Sequence, residues 1–139
     1  MDLLANIDVD DLDKAVAFYS DGLGLRVGRR LGKDVVEMLG GSSAIYLLRK
    51  AAGTNASVAT GRKRDYRRHW TPVHLDFVVE DLQAAREKAV TAGAMLEGDV
   101  QTYDWGQIAR MADPFGHGFC LIQFRGRGYD EIASNDGRR

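Results

Sequence analysis

The chain has 139 residues, of which 45% are hydrophobic and 28% are charged, and its formal net charge is −1. These values are ordinary for one globular domain, and the near-neutral charge argues against a general nucleic-acid or membrane-surface protein, because both need a strong positive field. A single cysteine, Cys120, excludes an internal disulfide framework. No apolar run approaches the roughly 20 residues of a membrane helix, and the acidic start has no secretory-signal pattern, so we expect a cytoplasmic protein.

Two stretches of the chain share one pattern. In residues 3–12 and 73–82, an alternating apolar run ends in an acidic pair followed by leucine. The offset of 70 positions is about half of the chain, which indicates one structural unit present twice. Each copy predicts a strand and then a helix, whose first-turn amides donate to an aspartate. Such a tandem arrangement lets two similar sheets meet and enclose a pocket.

The first unit is predicted to carry a strand, a helix and three further strands. The strand covers 3–9, the helix begins after Asp10 or Asp11 and ends at Gly22 or Gly24, and strands follow at 25–31, 35–39 and 44–48. The second unit repeats this order, with a strand at 73–79, a helix from Asp81 to Gly93, and strands at 95–100, 107–111 and 119–124. A hairpin at 103–106 and a β-turn at 113–116 separate the last three strands.

The segment between the units is small and polar at first and then strongly basic. We predict a first unit at 1–50, a linker with a basic segment at 51–72, a second unit at 73–125 and a polar C-terminal tail at 126–139. The basic residues 62–68 have two interpretations. Either the segment is a solvated linker that Tyr66 and Trp70 attach to the body, or it clamps an anion over the pocket. His69 belongs to this segment with either role open, and His117 is predicted as a surface loop residue.

Three sequence motifs resemble those of one known superfamily. They are DLDKAVAFY at 11–19 followed by GLGL at 22–25, HLDFVVEDL at 74–82, and DPFGH at 113–117. These motifs resemble those of the vicinal oxygen chelate superfamily, which includes glyoxalase I, bleomycin-resistance proteins, fosfomycin-resistance enzymes and extradiol dioxygenases. The resemblance covers residues 3–124. It implies an α+β fold of two tandem βαβββ units that form curved mixed β-sheets around a cleft, and it implies a homodimer.

The resemblance also implies where a metal would be bound. In metal-dependent members, the ligands come from the first and last strands of each unit, which here carry Leu4, Tyr46, His74 and Cys120. Leucine has no lone pair, and the high pKa of tyrosine disfavours it as a ligand at neutral pH. We therefore predict no metal and no cofactor. The alternative is a divalent metal held by His74 together with Asp76 or Cys120, since strand alternation places His74 and Asp76 on one face.

Seven residues are predicted to contact a ligand: Asn6, Tyr46, Trp70, His74, Asp76, Trp105 and Cys120. His74 is also the candidate catalytic residue, as a general base whose tautomer is fixed by Asp76, or else it is a core histidine bonded to that carboxylate. Cys120 has the alternative role of a small buried hydrophobic residue. Trp105, at a hairpin tip, is expected to cover a ligand or a second subunit, or to fold back on the sheet.

Three functions remain open at this point. The first is a metal-free protein of the bleomycin-resistance type that binds a small molecule, with aromatic side chains as stacking walls. The second is a glyoxalase-like lyase or isomerase that uses His74, with or without a divalent metal. The third is a structural or regulatory dimer with a vestigial pocket. In each case we expect a homodimer and neither nucleic acid nor membrane as a partner.

Overall fold

A computed structural model of the chain describes residues 1–134. It contains eleven strands and two α-helices within that range. The first unit comprises β1 (Ala5–Val9), α1 (Leu12–Ala17), β2 (Arg26–Leu31), β3 (Val35–Leu39) and β4 (Ile45–Arg49). The segment between the units, predicted as a linker at 51–72 and called the join below, contains β5 (Asn55–Ser57) and β6 (Arg62–Lys63). The second unit comprises β7 (Leu75–Val78), α2 (Leu82–Thr91), β8 (Met95–Leu96), β9 (Gln101–Tyr103), β10 (Gly106–Ala112) and β11 (Gly118–Phe124).

Each unit forms one mixed sheet. The first sheet has the order β1-β4-β3-β2, and the second has the order β7-β11-β10-β8 with β9 also paired to β10. In both sheets the first strand of the unit is parallel to the last, and the remaining pairs are antiparallel. The predicted α+β fold of two tandem βαβββ units is confirmed. In each sheet the first strand, β1 or β7, lies at an edge.

The helix boundaries follow the capping signals of the sequence. Asp11 accepts from the Lys14 amide at 3.0 Å, and Asp81 accepts from the Ala84 amide at the same distance. Of the two candidate caps for the first helix, the structure therefore uses Asp11. The regular part of α1 is short and continues as a π-helical turn over Phe18–Gly22. Gly24 follows with a φ of +72°, a conformation that residues with a side chain rarely adopt.

The prediction of one strand over 95–100 is wrong. The chain pairs with β10 as two separate short strands, β8 and β9. Gly98 lies between them with a φ of +83°, so the extended backbone cannot continue through this position.

The two units pack on each other within the one chain. A single core runs through both of them, and its largest fully buried side chains include Phe18, Met38, Phe115 and Leu121. Phe18 of the first unit meets Phe119 of the second edge-to-face, with ring centroids 6.3 Å apart. This shared core sets the position of β1 relative to β7.

The join contains a short ribbon within the segment predicted as a linker. Strands β5 and β6 pair antiparallel, and the Arg64 amide donates to the Thr54 carbonyl at 2.8 Å. Arg64 Nε donates to Asp8 Oδ2 at 2.8 Å, and Tyr66 Oη donates to the Lys50 carbonyl at 2.6 Å. These bonds attach the join to the first unit.

The C-terminal segment is folded as far as the structure describes it. A 3-10 helix covers Gly128–Glu131, and Tyr129 packs against Trp105 and Phe124 at centroid distances of 5.1 and 4.8 Å. Residues 135–139 of the predicted polar tail lie outside the described residues. Among residues 1–134, no helix has both the length and the apolar character that a membrane crossing requires.

Candidate functional site

A cleft of about 570 Å³ lies between the first strands of the two units. Its apolar wall includes Ile7 from β1 and Phe77 from β7. Its polar groups include Asn6 on β1 and His74 just before β7. The volume falls in the range of small-molecule sites, which combine mostly apolar walls with a few polar groups.

The cleft exists because β1 and β7 are edge strands of separate sheets. The helix-facing side chains of each unit fill the shared core, and Val9 on β1 is fully buried there. Between the two edges the side chains only partly fill the space: Ile7 and Phe77 are half-buried, while Asn6 is exposed. The tandem repeat of the sequence therefore positions the cleft.

His74, Asp76 and Cys120 form one cluster at the second unit. Asp76 on β7 lies opposite Cys120 on β11 in the parallel register. His74 Nε2 lies 3.3 Å from Asp76 Oδ1, and one ligand atom from each of the three residues lies within 4.8 Å of the others. Burial and the neighbouring Asp76 carboxylate raise the pKa of the Cys120 thiol to about 11. At neutral pH the thiol is therefore protonated and is a poor nucleophile.

Trp70 packs beside His74, which lines the cleft. The two rings are tilted by 38° with centroids 4.8 Å apart, and the Arg68 guanidinium lies 5.5 Å from the indole. The indole lies directly over Gly118, where an added Cβ would come within 1.9 Å of a ring atom. Gly118 is thus required for this packing, and no pattern in the sequence indicated it.

Tyr46 belongs to a different cluster, on the first sheet. Its hydroxyl donates to Glu37 Oε2 at 3.0 Å, and Arg29 Nη2 donates to the same oxygen at 2.6 Å. Hydrogen bonds from Arg29 lower the pKa of the buried Glu37 carboxyl to about 2. Tyr46 is therefore part of an ion-pair network.

The four-ligand metal set implied by the resemblance does not fit this chain. Leu4 offers no donor atom, and the Tyr46 hydroxyl is committed to Glu37. The donors that the structure does bring together are those of His74, Asp76 and Cys120, all from the second unit. A metal bridging the two units at the implied positions would therefore lack its first-unit ligands.

The basic segment is ion-paired, which favours its interpretation as an attached linker. Three of its arginines each contact a carboxylate. The pairs are Arg64 with Asp8, Arg67 with Asp65, and Arg68 with Glu97. Tyr66 bonds the Lys50 carbonyl, so it attaches the segment to the body as expected.

Trp105 stacks on Tyr103, with ring planes 8° apart and centroids 5.4 Å apart. It also contacts Phe124 and Tyr129, which places it in an aromatic cluster with the C-terminal segment. Of the seven predicted ligand residues, Asn6 and His74 line the cleft, and three others adjoin His74. The adjoining residues are Trp70, Asp76 and Cys120.

Two contacts that sequence reasoning missed lie beside the cleft. Tyr19 is a lining residue whose buried hydroxyl donates to Asp113 Oδ2 at 2.6 Å and so links the units. His117, predicted as a surface loop residue, is half-buried and faces His69 with their nitrogens 3.0 Å apart. In the sequence, His69 follows the basic segment and His117 follows a turn glycine. Neither position indicates that the two side chains lie close together.

Comparison with known proteins finds one matching family model and many solved structures with a similar fold. A family model described as a glyoxalase-like domain matches residues 5–122. A glyoxalase/bleomycin resistance protein/dioxygenase family enzyme from Burkholderia phytofirmans PsJN superposes with a TM-score of 0.69 at 18% identity, covering 90% of this chain and all of that chain. No curated protein sequence matches the chain.

Two solved structures with named activities are also similar. A genomically encoded fosfomycin resistance protein from Listeria monocytogenes has a TM-score of 0.66 at 16% identity, covering 88% of this chain and 92% of its own. A lactoylglutathione lyase from Agrobacterium tumefaciens has a TM-score of 0.61 at 17% identity with the same coverages. At these identities the likeness establishes the fold alone.

Proposed function

This chain belongs to the glyoxalase-like domain family of the vicinal oxygen chelate superfamily, and from that premise we propose that it binds a small, apolar or aromatic molecule in the cleft between β1 and β7. The observation that carries the proposal is the cleft itself, about 570 Å³ with Ile7 and Phe77 as walls. We also propose that the chain does not bind the metal that metal-dependent members of the superfamily hold with ligands from both units, because Leu4 and Tyr46 stand at two of the four ligand positions.

The polar groups of the cleft supply orientation. The Asn6 side chain offers one acceptor and two donor hydrogens. His74 Nε2 lies 3.3 Å from Asp76 Oδ1, and a neutral imidazole offers one donor and one acceptor. A few polar groups around an apolar volume are what recognition of a small organic ligand requires.

Tryptophan emission tests this proposal, because the two tryptophans occupy different places. Trp70 packs on His74 at the cleft, whereas Trp105 stacks on Tyr103 beside the C-terminal segment. Titration with a neutral aromatic probe, N-phenyl-1-naphthylamine, should quench the emission of Trp70. The quench should disappear in Trp70→Phe and persist in Trp105→Phe, which is the matched control.

Quenching that persists in Trp70→Phe and disappears in Trp105→Phe would place binding outside the cleft and contradict the proposal. Absence of binding by a panel of aromatic and aliphatic probes would also contradict it.

A second candidate function is a glyoxalase-like lyase or isomerase with His74 as general base. The observation that favours it is the 3.3 Å separation of His74 Nε2 and Asp76 Oδ1, which places a carboxylate beside the imidazole of the candidate base. A base in this position would accept a proton from a carbon or hydroxyl of a substrate in the cleft. The superfamily includes such reactions, but the fold alone does not select one.

Turnover of small carbonyl or thiol-adduct substrates distinguishes this candidate. His74→Gln should abolish turnover, while Asp76→Asn should reduce it, because the ring then loses its neighbouring carboxylate. The metal content of the purified protein should also be measured, by elemental analysis after incubation with Ni, Zn, Mn and Fe. Near one metal per chain, lost in His74→Ala, would show that His74, Asp76 and Cys120 form a metal site, and it would favour the enzyme over the metal-free binder.

We also propose that the protein is a homodimer. Exposed apolar residues adjoin the cleft mouth, with 59% of Leu4 and 84% of Val73 accessible, and a partner subunit is one way to cover them. Sedimentation equilibrium should give twice the chain mass. A monomer at all concentrations up to about 100 μM, a concentration at which even a dimer of micromolar Kd is mostly associated, would contradict it.

A further inference from the structure

His69 and His117 connect three segments of the chain at one wall of the cleft. His69, in the join, places Nδ1 2.9 Å from the carbonyl oxygen of Arg67. His117, in the turn before β11, places Nε2 2.7 Å from the carbonyl oxygen of Asp8 on β1. The remaining nitrogens, His69 Nε2 and His117 Nδ1, face each other at 3.0 Å. The rings meet edge-on at 85°, and both line the cleft.

These three contacts require three protons. A carbonyl oxygen can only accept, so His69 Nδ1 and His117 Nε2 must each carry a hydrogen. Two neutral imidazoles have no further hydrogen to place, and their facing nitrogens would then present lone pairs to each other at 3.0 Å. One additional proton between His69 Nε2 and His117 Nδ1 satisfies every contact and gives the pair a charge of +1.

Several titratable and charged groups surround the pair. The titratable and charged groups facing it are Asp8, Tyr19, Asp65, Tyr66, Arg67, Arg68, His74 and Asp113. The carboxylates of Asp8 and Asp65 are ion-paired with arginines. Asp113 is buried beside the His117 amide, and among residues 1–134 it makes no ion pair with an arginine or lysine.

We propose that His69 and His117 share this third proton and that the resulting imidazole–imidazolium pair makes the cleft prefer an anionic ligand. The inference rests on the proposed function, since it assigns the ligand class of the same cleft. All four ring nitrogens are engaged within the protein, so the pair acts on the ligand through its charge. Hydrogen bonds to the ligand are made by other groups, such as Asn6.

The proton count is tested on the unmodified protein by nitrogen-15 NMR of the histidine rings. At pH 6.5, the shifts should show His69 Nδ1 and His117 Nε2 protonated and one further proton shared between the facing nitrogens. Raising the pH should remove the shared proton first. Two neutral rings at pH 6.5, one of them having lost its carbonyl contact, would overturn the inference.

The ligand preference is tested with two probes that share an aromatic skeleton. They are the anionic 1-anilinonaphthalene-8-sulfonate and the neutral N-phenyl-1-naphthylamine, and neither changes charge between pH 6 and pH 9. The ratio of their affinities should favour the anion more at pH 6 than at pH 9, by about three- to tenfold, the size expected for unit charges about 6 Å apart near a solvated surface. The change in this ratio should disappear in His69→Gln and in His117→Gln.

A matched control is His74→Gln, which leaves both members of the pair in place. It should retain the pH dependence of the affinity ratio, whatever it does to the affinities themselves. If the neutral probe binds in the cleft but the ratio is independent of pH in the unmodified protein, the inference is overturned and the proposed function stands. If neither probe binds, the proposed function is overturned as well.

Discussion

Replacing Tyr19 with phenylalanine removes one hydrogen bond from the contact between the two units. The Tyr19 hydroxyl is buried and donates to Asp113 Oδ2 at 2.6 Å. The other carboxylate oxygen, Oδ1, accepts from the amides of Phe115 and His117 at 2.8 and 3.0 Å. In Tyr19→Phe, Oδ1 keeps both bonds while Oδ2 loses its donor inside the core.

We expect this substitution to lower the free energy of unfolding by about 2 kcal/mol. A hydrogen bond to a charged group contributes about 1.5–3 kcal/mol, and an oxygen left without a donor in a buried place carries the desolvation penalty as well. The two remaining amides moderate the loss. For a chain of this length, the change corresponds to a decrease in Tm of roughly 6 °C.

Urea unfolding followed by far-ultraviolet circular dichroism measures this difference, and Tyr46→Phe is the matched control. The Tyr46 hydroxyl also donates to a carboxylate, but Glu37 keeps its bonds to Arg29 and the residue is only half-buried. We expect a cost of at most about 1 kcal/mol there. Equal costs for the two substitutions, or a Tyr19→Phe variant as stable as the parent, would refute the reasoning.

The same pair predicts a pH dependence. Burial and the Asp113 carboxylate raise the pKa of Tyr19 well above its ordinary value of 10.0. The unfolded chain therefore loses this proton at lower pH than the folded chain, so the stabilisation is complete below about pH 10 and declines as the pH rises further. The stability difference between the parent and Tyr19→Phe should shrink above pH 10.

Three further predictions concern other sites. Gly118→Ala should displace the Trp70 indole, because the new Cβ would come within 1.9 Å of it, and a red-shifted tryptophan emission with an intact circular dichroism spectrum would show this; an unchanged emission maximum would contradict it. Hydrogen bonds from Arg29 lower the pKa of Glu37 to about 2 from the ordinary 4.5, so its contribution to stability is complete above pH 4.5 and is lost as the pH falls towards 2. Urea unfolding of Glu37→Gln should show a weaker pH dependence in that window, and parallel curves would be evidence against the assignment. Burial raises the pKa of Cys120 to about 11, so iodoacetamide should alkylate the native protein at pH 7.5 at least about 100-fold more slowly than the urea-unfolded chain, and equal rates would contradict it.

The fold was predictable because its local signals agree with its tertiary packing. The duplicated strand-and-cap pattern ends at Asp11 and Asp81, and both aspartates cap helices in the structure. The turn at 113–116 also forms, with Gly116 at a φ of +83°. These features depend on a few neighbouring residues, so the sequence pattern was sufficient to locate them.

The errors arose where one backbone position or distant contacts decide the structure. A glycine at positive φ divides the strand predicted at 95–100, and such a conformation is not evident from an alternating pattern. The ribbon at 55–63 has a weakly apolar sequence and is held by Arg64 on Asp8 and Tyr66 on Lys50, contacts made far along the chain. The sequence pattern alone therefore predicted a linker without strands there.

The candidate site was predictable to the extent that strand alternation determines it. Alternation brought His74 and Asp76 together, and the parallel register added Cys120. The proximity of His69 and His117 was not predictable, because it depends on how the join crosses the turn before β11. Tyr46 and Trp105 pack instead on nearby residues, Glu37 and Tyr103, and do not line the cleft.

The most direct test of the central claim is to locate a bound ligand. We would map N-phenyl-1-naphthylamine on the protein by methyl and aromatic NMR, using intermolecular contacts to assign its position. The cleft proposal predicts contacts to Ile7, Leu75 and Phe77, which lie on the two facing edge strands. Contacts confined to Trp105 and Tyr129, or none at any accessible concentration, would contradict it.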